Sequence, residues 1–405
     1  MPSIRLKNIG PLTDTGVVEM KKVTLFIGAQ STGKSTLMKI LCFCRWLEKH
    51  IMAGDDKATL YNYTHYNRFL RELKQFHRFN DGYFNADSEI DYRGSLLDIT
   101  LHGTKNARIT KHADFDQLRC NAKLCFIPSE RNLISALRNA DRAYKASNID
   151  MLFNYVFEWA ETRGMFTTDK PMPLSFDQDI EYYYDAKREK DILRLRGQGG
   201  KEIEPFYASS GVQSALPIEV MVGYVTRQVG QAADVSQQWL MDFVRSHMVP
   251  ADHSPATPRS SNLPRDILTY QYANLFVEEP EQNLFPQSQW ELLCQIVAAV
   301  NTAPAPHAPH GNAIVLTTHS PYILSALNIL AKASVAMQKD PARTQATVPA
   351  PAILPIGDIA AYHITGGQAL SLVDDEFGMI NGNALDAVSD DIEEKTCILN
   401  EIIYG

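Results

Sequence analysis

A short segment near the amino terminus has the residue types and spacing of a phosphate-binding loop. Gly28-Ala29-Gln30-Ser31-Thr32-Gly33-Lys34-Ser35-Thr36 fits the pattern G-x-x-x-x-G-K-[ST]. Glycines let the backbone close around phosphate oxygens, and the N–H groups at the following helix start bind the anion. We therefore expect this segment to bind ATP, with Lys34 on the β and γ phosphates and the Ser35 hydroxyl on Mg²⁺.

The alternative for this segment is a Gly/Ser turn that contains a lysine by chance. Residues 23–27 before it are almost all apolar, which predicts a central strand. From Ser35 to about His50, apolar residues recur at helical spacing. A strand before the loop and a helix after it are the context that a phosphate loop requires, so nucleotide binding is the preferred interpretation.

A second segment is an apolar run that leads into carboxylates. Residues 275–277 precede Glu278 and Glu279. A Mg²⁺–nucleotide site uses one acidic group in the metal shell and often a second to activate water. We expect Glu278 to hold the metal, directly or through water, and Glu279 to be the general base. An acidic turn after a strand would be the better interpretation if no phosphate loop were present.

A third segment is an apolar run that ends in a histidine. Residues 314–316 lead through two threonines to His319. A neutral histidine at a strand end can sense a γ phosphate by hydrogen bonding. Ligands of open α/β sheets collect at the carboxyl ends of strands, which favours this role over a capping or core-edge histidine.

A fourth segment, Ser209-Ser210-Gly211-Val212-Gln213-Ser214, precedes an apolar helix that runs from Ala215 to about Val229. Ser and Gly at a helix start form an anion-binding end. Taken alone, a plain helix cap is the commoner explanation of such a segment.

The order of these four segments resembles that of the ABC-class ATPases, including the RecF and SMC branch. By this resemblance, residues 209–213 stand where the signature motif LSGGQ would be. Ser210, Gly211 and Gln213 match the motif, whereas Ser209 replaces Leu and Val212 replaces the second Gly. In that family the signature of one subunit contacts the γ phosphate held by another. The resemblance therefore implies a homodimer or higher homo-oligomer with composite ATP sites.

Three stretches resemble a narrower group, the ATPase domain of OLD-type and related prokaryotic defence ATPases such as the Septu and PARIS subunits. They are FIPSERN at 126–132, LFVEEPEQNLFP at 275–286 and TTHSPYIL at 317–324. No second acidic strand pattern follows the histidine, so a complete nuclease domain is not expected. This resemblance implies the sensor or regulatory subunit of an anti-phage system that controls a separate effector, a nuclease or toxin. A RecF-like DNA repair or chromosome-maintenance ATPase is the alternative, and DNA is left open as a partner.

The sequence patterns around these side chains predict an α/β fold. We expect a mainly parallel sheet, an N-terminal β-subdomain and a helical insertion. Strand-like runs at 275–277 and 313–317 are each followed by a helical stretch. Alternation at 4–9 predicts a strand, 90–110 a hairpin, and 124–127 another short strand.

The pattern predicts mostly helix from about Asn132 to Tyr184. Residues 185–204 are dense in balanced charges and are interpreted as a solvated helical arm rather than a nucleic-acid patch. We divide the chain into three parts: 1–131 with the phosphate loop, 132–205 as a mostly helical insertion, and 206–405 with the signature, the acidic strand and the histidine.

Composition narrows the class of protein. The chain has 405 residues, 45% of them apolar and 21% charged, which is typical of a soluble globular protein. Its net charge of −8 argues against a dedicated nucleic-acid coat but leaves a local basic face open. The apolar runs are too short to span a bilayer, and no apolar leader follows Met1. The cysteines form no CxxC pair, so we expect reduced thiols in a cytoplasmic protein with no membrane partner.

Overall fold

Strands and helices alternate along the chain in a mixed α/β arrangement. The computed structural model describes residues 2–53, 56–136, 150–233, 263–304, 311–374, 376–382, 395 and 397–399. The helices in this part of the chain are α1 (Lys34–Ala53), α2 (Asp56–Thr64), α3 (Arg68–His77), α4 (Phe115–Leu118), α5 (Leu133–Ala136), α6 (Met151–Arg163), α7 (Ser210–Gln228), α8 (Leu263–Leu268), α9 (Pro286–Thr302), α10 (Pro321–Ala336) and α11 (Pro341–Thr347).

The strands are β1 (Ser3–Ile9), β2 (Leu12–Asp14), β3 (Val18–Glu19), β4 (Val23–Ile27), β5 (Phe84–Arg93), β6 (Leu97–His102), β7 (Arg108–Lys111), β8 (Asn121–Ile127), β9 (Met172–Pro173), β10 (Ile180–Asp185), β11 (Lys190–Leu195), β12 (Lys201–Ile203), β13 (Tyr270–Glu278), β14 (Ala313–Thr318), β15 (Ile359–Thr365), β16 (Gln368–Ser371), β17 (Val373–Asp374) and β18 (Met379–Ile380). The predicted strands at 4–9, 23–27, 124–127, 275–277 and 313–317 are confirmed, and so is the hairpin within 90–110.

One sheet is mainly parallel and has the strand order β16-β15-β4-β14-β13-β8. The five strands from β15 to β8 run parallel, and β16 pairs antiparallel with β15. Every residue of β4, β14 and β13 is buried, which explains their continuous apolar runs. Because parallel strands end at the same edge, the segments after β4, β14, β13 and β8 meet there.

The N-terminal strands form a second, antiparallel sheet in the order β2-β1-β5-β6-β7, with β3 paired to β1. Helix α1 shares a core cluster with both sheets: Leu37 and Leu41 belong to the same cluster as Leu6 of β1 and Phe26 of β4. The neighbouring Leu25 belongs instead to the cluster of α7, α9 and α10. Alternate residues of β4 thus face opposite sides of the parallel sheet.

The insertion contains a small antiparallel sheet, so the prediction of a mostly helical segment over 132–205 is wrong for its second half. After α5 and α6, strands β9 to β12 form a sheet in the order β12-β11-β10-β9. Residues 137–149 lie outside the described part of the chain. The three-part division at 131/132 and 205/206 stays a prediction.

The charges of this segment are partners across strands rather than the solvated face of a helix. Asp185 Oδ1 accepts from the backbone N–H groups of Lys187 (2.9 Å) and Arg188 (3.1 Å), which forms the turn between β10 and β11. Arg194 of β11 and Glu202 of β12 are register partners, and their charged atoms lie 3.6 Å apart. Cross-strand pairs of opposite charge stabilise a sheet, so balanced charge density did not distinguish strand from helix.

Across the described residues, no helix combines the length and apolar character that a membrane crossing requires.

Candidate functional site

The phosphate-loop segment connects β4 to α1 at the carboxyl edge of the parallel sheet. Gly28 has φ +156° and Gly33 has φ +107°. A Cβ atom at Gly28 would lie 2.5 Å from the carbonyl oxygen of Ile364, and one at Gly33 would lie 2.6 Å from the side chain of Leu12. Both positions therefore require glycine, because a larger residue would collide with β15 or β2.

The Lys34 ammonium is folded back into this loop. Its Nζ donates to the carbonyl oxygens of Gly28 (2.9 Å) and Ala29 (2.7 Å) and lies 3.3 Å from His319 Nδ1. The side chain is buried, and that burial lowers the pKa of Lys34 to about 8. A cation held inside a loop with exposed backbone is suited to binding phosphate oxygens.

His319 joins the loop to the acidic strand end. Its Nε2 lies 3.2 Å from Glu279 Oε1, and its backbone N–H donates to Glu281 Oε1 at 2.7 Å. The neutral tautomer with hydrogen on Nε2 satisfies both ring contacts, since Nδ1 then accepts from Lys34 and Nε2–H donates to Glu279. Because β14 lies between β4 and β13, Lys34, His319 and Glu279 form one continuous chain of polar contacts.

Glu279 is held in a conformation that is uncommon for a residue with a side chain. Its φ is +44°, in the left-handed region. Its N–H donates to the carbonyl oxygen of Thr317 at 2.9 Å, and its own carbonyl oxygen accepts from Arg131 Nη2 at 2.7 Å. Backbone strain that is fixed by several contacts is typical of functional positions.

Glu278 is buried and leaves part of its hydrogen-bonding capacity unused. Its Oε2 accepts from the N–H of Ser129 at 3.2 Å, and its Oε1 lies 3.7 Å from Lys39 Nζ without a hydrogen bond. Three nearby buried oxygens also lack a hydrogen-bond partner: Glu281 Oε2, Gln282 Oε1 and Thr317 Oγ1. Such a cluster of unsatisfied oxygens is unusual in a protein interior.

The residues present fit a hydrated Mg²⁺ ion of the kind that accompanies a nucleotide. Carboxylate and hydroxyl oxygens are suitable ligands, and the unsatisfied oxygens can accept from metal-bound water. Within the described ranges, no group of three or more His, Cys, Asp or Glu side chains could hold a metal by itself. Mg²⁺ in nucleotide sites takes one or two protein ligands and completes its shell with phosphate and water oxygens.

Arg131 is a site residue for which sequence reasoning proposed no role. It is fully buried and donates at 2.7 Å to three backbone carbonyl oxygens, those of Ser214 on α7, Glu278 and Glu279. Burial lowers the pKa of Arg131 to about 10, so it stays charged at neutral pH. Arg131 follows β8, which ends at the same edge of the sheet as β4, β13 and β14. This position is the signal that could have identified it.

The candidate signature segment begins α7 and packs on the segment that follows β13. The Ser209 side chain accepts from the N–H of Val212 at 3.5 Å, as a helix cap does. A Cβ atom on Gly211 would lie 2.9 Å from the carbonyl oxygen of Asn283, and Gln213 Nε2 donates to the carbonyl oxygens of Pro205 and Phe206 at 3.1 and 3.0 Å. In the described part of the molecule, no hydrogen bond or ion pair joins residues 209–213 to residues 28–36. The structure thus connects Lys34, His319 and Glu279 and leaves Ser210, Gly211 and Gln213 unbonded to them.

Exposed aromatic residues flank these segments. They precede the signature, follow the acidic strand or follow the histidine, and they are Phe206 (43% exposed), Tyr207 (60%), Phe285 (77%) and Tyr322 (54%). Large exposed aromatic side chains are a feature of surfaces that bind a partner.

Comparison with known proteins gives only distant structural likeness. No protein-family model and no curated protein matches the chain. An SMC head domain from Thermotoga maritima is 10% identical, with 91% of this chain and 97% of that one covered and a TM-score of 0.38. An SmcHead bound to the C-winged helix domain of ScpA is 9% identical, with 93% and 99% covered and a TM-score of 0.42. The recombination mediator protein RecF is 9% identical, with 91% and 97% covered and a TM-score of 0.37.

Proposed function

We propose that the chain is a P-loop ATPase that binds ATP with Mg²⁺ at residues 28–36 and hydrolyses it to ADP and phosphate. The observation that carries the proposal is the continuous contact from Lys34 through His319 to Glu279. This contact joins a phosphate-binding lysine to a carboxylate at the edge of the sheet where ligands collect.

Each residue has a separate role in this proposal. Lys34 binds the β and γ phosphates, and Ser35 and Glu278 hold Mg²⁺, which neutralises phosphate charge when it is bound. Glu279 accepts a proton from the attacking water. His319 senses the γ phosphate, because ATP draws the Lys34 ammonium toward its phosphates and leaves His319 Nδ1 to a new partner.

Replacing Glu279 by Gln tests the chemistry. Turnover of ATP should fall by roughly 10²- to 10⁴-fold, the usual contribution of a general base. ATP affinity should be retained because the phosphate loop is unchanged. Phosphate release and nucleotide binding measure the two quantities. Glu291→Gln on α9 is the matched control and should leave both unchanged; an unchanged turnover in Glu279→Gln would show that Glu279 is not the base.

We propose further that two copies assemble head to tail, with Ser210, Gly211 and Gln213 of each copy completing the other's ATP site. Ser209 and Ser210 are exposed, and the aromatic residues Phe206, Tyr207, Phe285 and Tyr322 flank the same edge. A nucleotide that bridges two surfaces favours the dimer, and hydrolysis releases it, which makes the assembly a switch.

Sizing of the Glu279→Gln variant with ATP and with ADP tests this assembly. A dimer is expected with ATP and a monomer with ADP. Ser210→Arg, at the exposed helix start, should bind ATP normally and remain monomeric. If the Glu279→Gln variant with Ser210 intact binds ATP and stays monomeric, the proposed dimer is wrong.

For the biological role, we propose the sensor or regulatory subunit of a cytoplasmic anti-phage system that acts through a separate nuclease or toxin. Its support is the resemblance of residues 126–132, 275–286 and 317–324 to defence ATPases. A RecF-like role in DNA repair is the alternative. Purification from the native host tests the first by a co-purifying effector, and ATP-dependent DNA binding that weakens steeply with salt would favour the second.

A further inference from the structure

A cavity of about 480 Å³ lies between α1, α3, β8 and α6, among residues that have no assigned role in the nucleotide site. Its volume is within the range of small-molecule sites, roughly 300–1,000 Å³. The walls include Phe43 and Lys49 of α1, His77 of α3, Phe126 of β8, and Asn154 and Glu158 of α6. Elements that are distant in sequence therefore build one pocket, which is partly open to solvent.

Two side chains that line the cavity have buried polar atoms without partners. His77 is 2% exposed, and neither of its ring nitrogens makes a hydrogen bond. Glu158 Oε2 is also buried and lacks a hydrogen-bond partner. A buried polar atom without a hydrogen-bond partner is unfavourable. These atoms are inaccessible to solvent, so a ligand in the cavity completes them only if the wall side chains move aside.

Aromatic rings hold the His77 imidazole in place and form the apolar part of the wall. The ring centroids of Phe76, Phe126 and Phe43 lie 5.0, 5.5 and 6.4 Å from that of His77, all in edge-on arrangements. Burial lowers the pKa of His77 to about 3, so the ring is neutral and offers one donor and one acceptor. Lys49 adds a cation, with its Nζ 5.8 Å from the Tyr270 ring centroid.

We propose that this cavity binds a small planar heteroaromatic molecule of nucleoside size that carries both hydrogen-bond donors and acceptors. The rings of Phe43 and Phe126 contact its faces or edges. Glu158 accepts from an amino or ring N–H group, and His77 pairs with an acceptor or a donor. A hydrocarbon ligand would leave Glu158 and His77 unsatisfied, and a simple anion would leave the aromatic wall without a partner.

The cavity is joined to the nucleotide site through α1 and β8. Helix α1 begins at Lys34, and its Lys39 lies 3.7 Å from Glu278 and contributes to the lowered pKa of His77. Strand β8 leads directly to Ser129 and Arg131, which bind Glu278 and Glu279. A ligand that fixes α1 against β8 therefore modulates turnover; this coupling rests on the proposed ATPase function, whereas the binding itself does not.

The test uses the full chain without ATP and four probes: adenosine, guanosine, cytidine and uridine. These nucleosides lack phosphates, so they offer the phosphate loop no ligand. At least one is expected to raise the thermal midpoint and to bind by calorimetry. Glu158→Gln should weaken that binding by roughly tenfold or more, because it replaces a carboxyl acceptor by a weaker amide acceptor. Asn154→Trp should abolish binding by filling the cavity from its rim.

Matched variants make the result specific. Glu161→Gln changes the same residue type on an exposed turn of α6 and should leave binding unchanged. His77→Phe, which removes the two unsatisfied nitrogens from an aromatic surrounding, should fold at least as stably as the native chain and lose affinity. If Asn154→Trp fails to fold, nucleoside binding by His77→Phe still tests the proposal.

Three outcomes would overturn the proposal: no binding of any probe at millimolar concentration, binding that survives both Asn154→Trp and His77→Phe, or binding that Lys34→Ala abolishes. The first means a solvent-filled cavity, and the other two place the nucleoside elsewhere. If the native chain binds a nucleoside but shows no ATPase activity, the proposed function and the coupling are wrong and the proposed binding site stands.

Discussion

Two clusters of buried polar side chains, near opposite ends of the parallel sheet, differ in their hydrogen bonding. At the carboxyl edge, oxygens of Glu278, Glu281 and Thr317 are buried without hydrogen-bond partners. Toward the amino ends of the same strands, a cluster around Arg45 of α1 is fully bonded. Arg45 donates to Asn274 Oδ1 at 3.0 Å and contacts the Tyr272 hydroxyl at 3.3 Å, both on β13.

The Arg45 cluster also reaches the antiparallel sheet. Arg45 forms an ion pair with Glu48 and donates to the Tyr92 hydroxyl of β5 at 3.2 Å. Glu48 accepts from the Tyr92 hydroxyl at 2.6 Å and from the N–H of Leu96 at 2.9 Å. The difference between the two ends indicates separate tasks: the bonded cluster fixes α1 between two sheets, and the unsatisfied edge is available to a ligand.

The largest expected effect is on stability, at the bonded end. Glu48→Gln leaves the buried Arg45 cation without its anion, so the free energy of unfolding should fall by about 3–5 kcal/mol. ATP affinity per folded molecule should be unchanged, because the cluster does not contact the phosphate loop. Denaturant unfolding and nucleotide binding measure these two quantities.

Glu89→Gln is the control for this prediction. Glu89 pairs with Lys7 at 2.7 Å on the surface, where both side chains are about a third exposed. Exposed pairs contribute roughly 0–1 kcal/mol. Equal losses of stability in the two variants would show that the buried Arg45 cluster does not fix α1 between the two sheets.

The next effect is on binding, at the unsatisfied edge. Lys34→Ala removes charged hydrogen bonds to phosphate worth roughly 2–3 kcal/mol, which is about a 30- to 150-fold loss of ATP affinity. The free energy of unfolding should change by no more than about 1 kcal/mol, since burial disfavours the charged lysine in the free protein. Calorimetric titration with ATP and denaturant unfolding provide the measurements.

Lys22→Ala is a matched control, because Lys22 lies just before β4 as Lys34 lies just after its loop. Lys22 pairs with Asp358 at 3.1 Å at the opposite end of the strand. It should leave ATP affinity unchanged. If both lysine variants lose affinity equally, nucleotide binding is not confined to the carboxyl edge.

Local pattern predicted most of the strands of the parallel sheet and the segments at its carboxyl edge. The continuous apolar run of β4 and the helical spacing of α1 are properties of short segments, and each is decided largely by its own residues. The closeness of Glu279 and His319 follows from parallel strands: Glu278 of β13 and Thr317 of β14 are register partners, so the two strands end together.

What the sequence did not predict depends on contacts between distant segments. Arg131 has no motif of its own, and its role arises only when β8, α7 and β13 meet around it. Strands β10 to β12 carry balanced charges that pair across strands. The order of these charges along the chain does not distinguish a strand from a helix. The cavity at His77 is likewise built from four elements that only the folded chain brings together.

The smallest expected effect is a pH dependence of ATP affinity. In the free protein the pKa of Lys34 is about 8, and phosphates beside its ammonium must raise that pKa in the complex. Affinity is therefore complete below about pH 8 and falls by up to tenfold per pH unit above it, until the pKa of the complex is reached. Titrations of the Glu279→Gln variant from about pH 7 to pH 9.5 measure this without turnover. The fall begins at a lower pH in this variant, because the Glu279 carboxylate raises the pKa of Lys34 in the native chain.

Lys34→Ala in the same background separates this effect from other titrations. Its weaker ATP affinity should stay flat across the same interval, because no other group at the loop has to be protonated to bind phosphate. The bonded Arg45 cluster should add no slope, since an arginine stays charged throughout this range. A profile of the Glu279→Gln variant as flat as that of the double variant with Lys34→Ala would mean that the lysine does not contact phosphate. The unsatisfied oxygens at the carboxyl edge would then not indicate a phosphate-binding site.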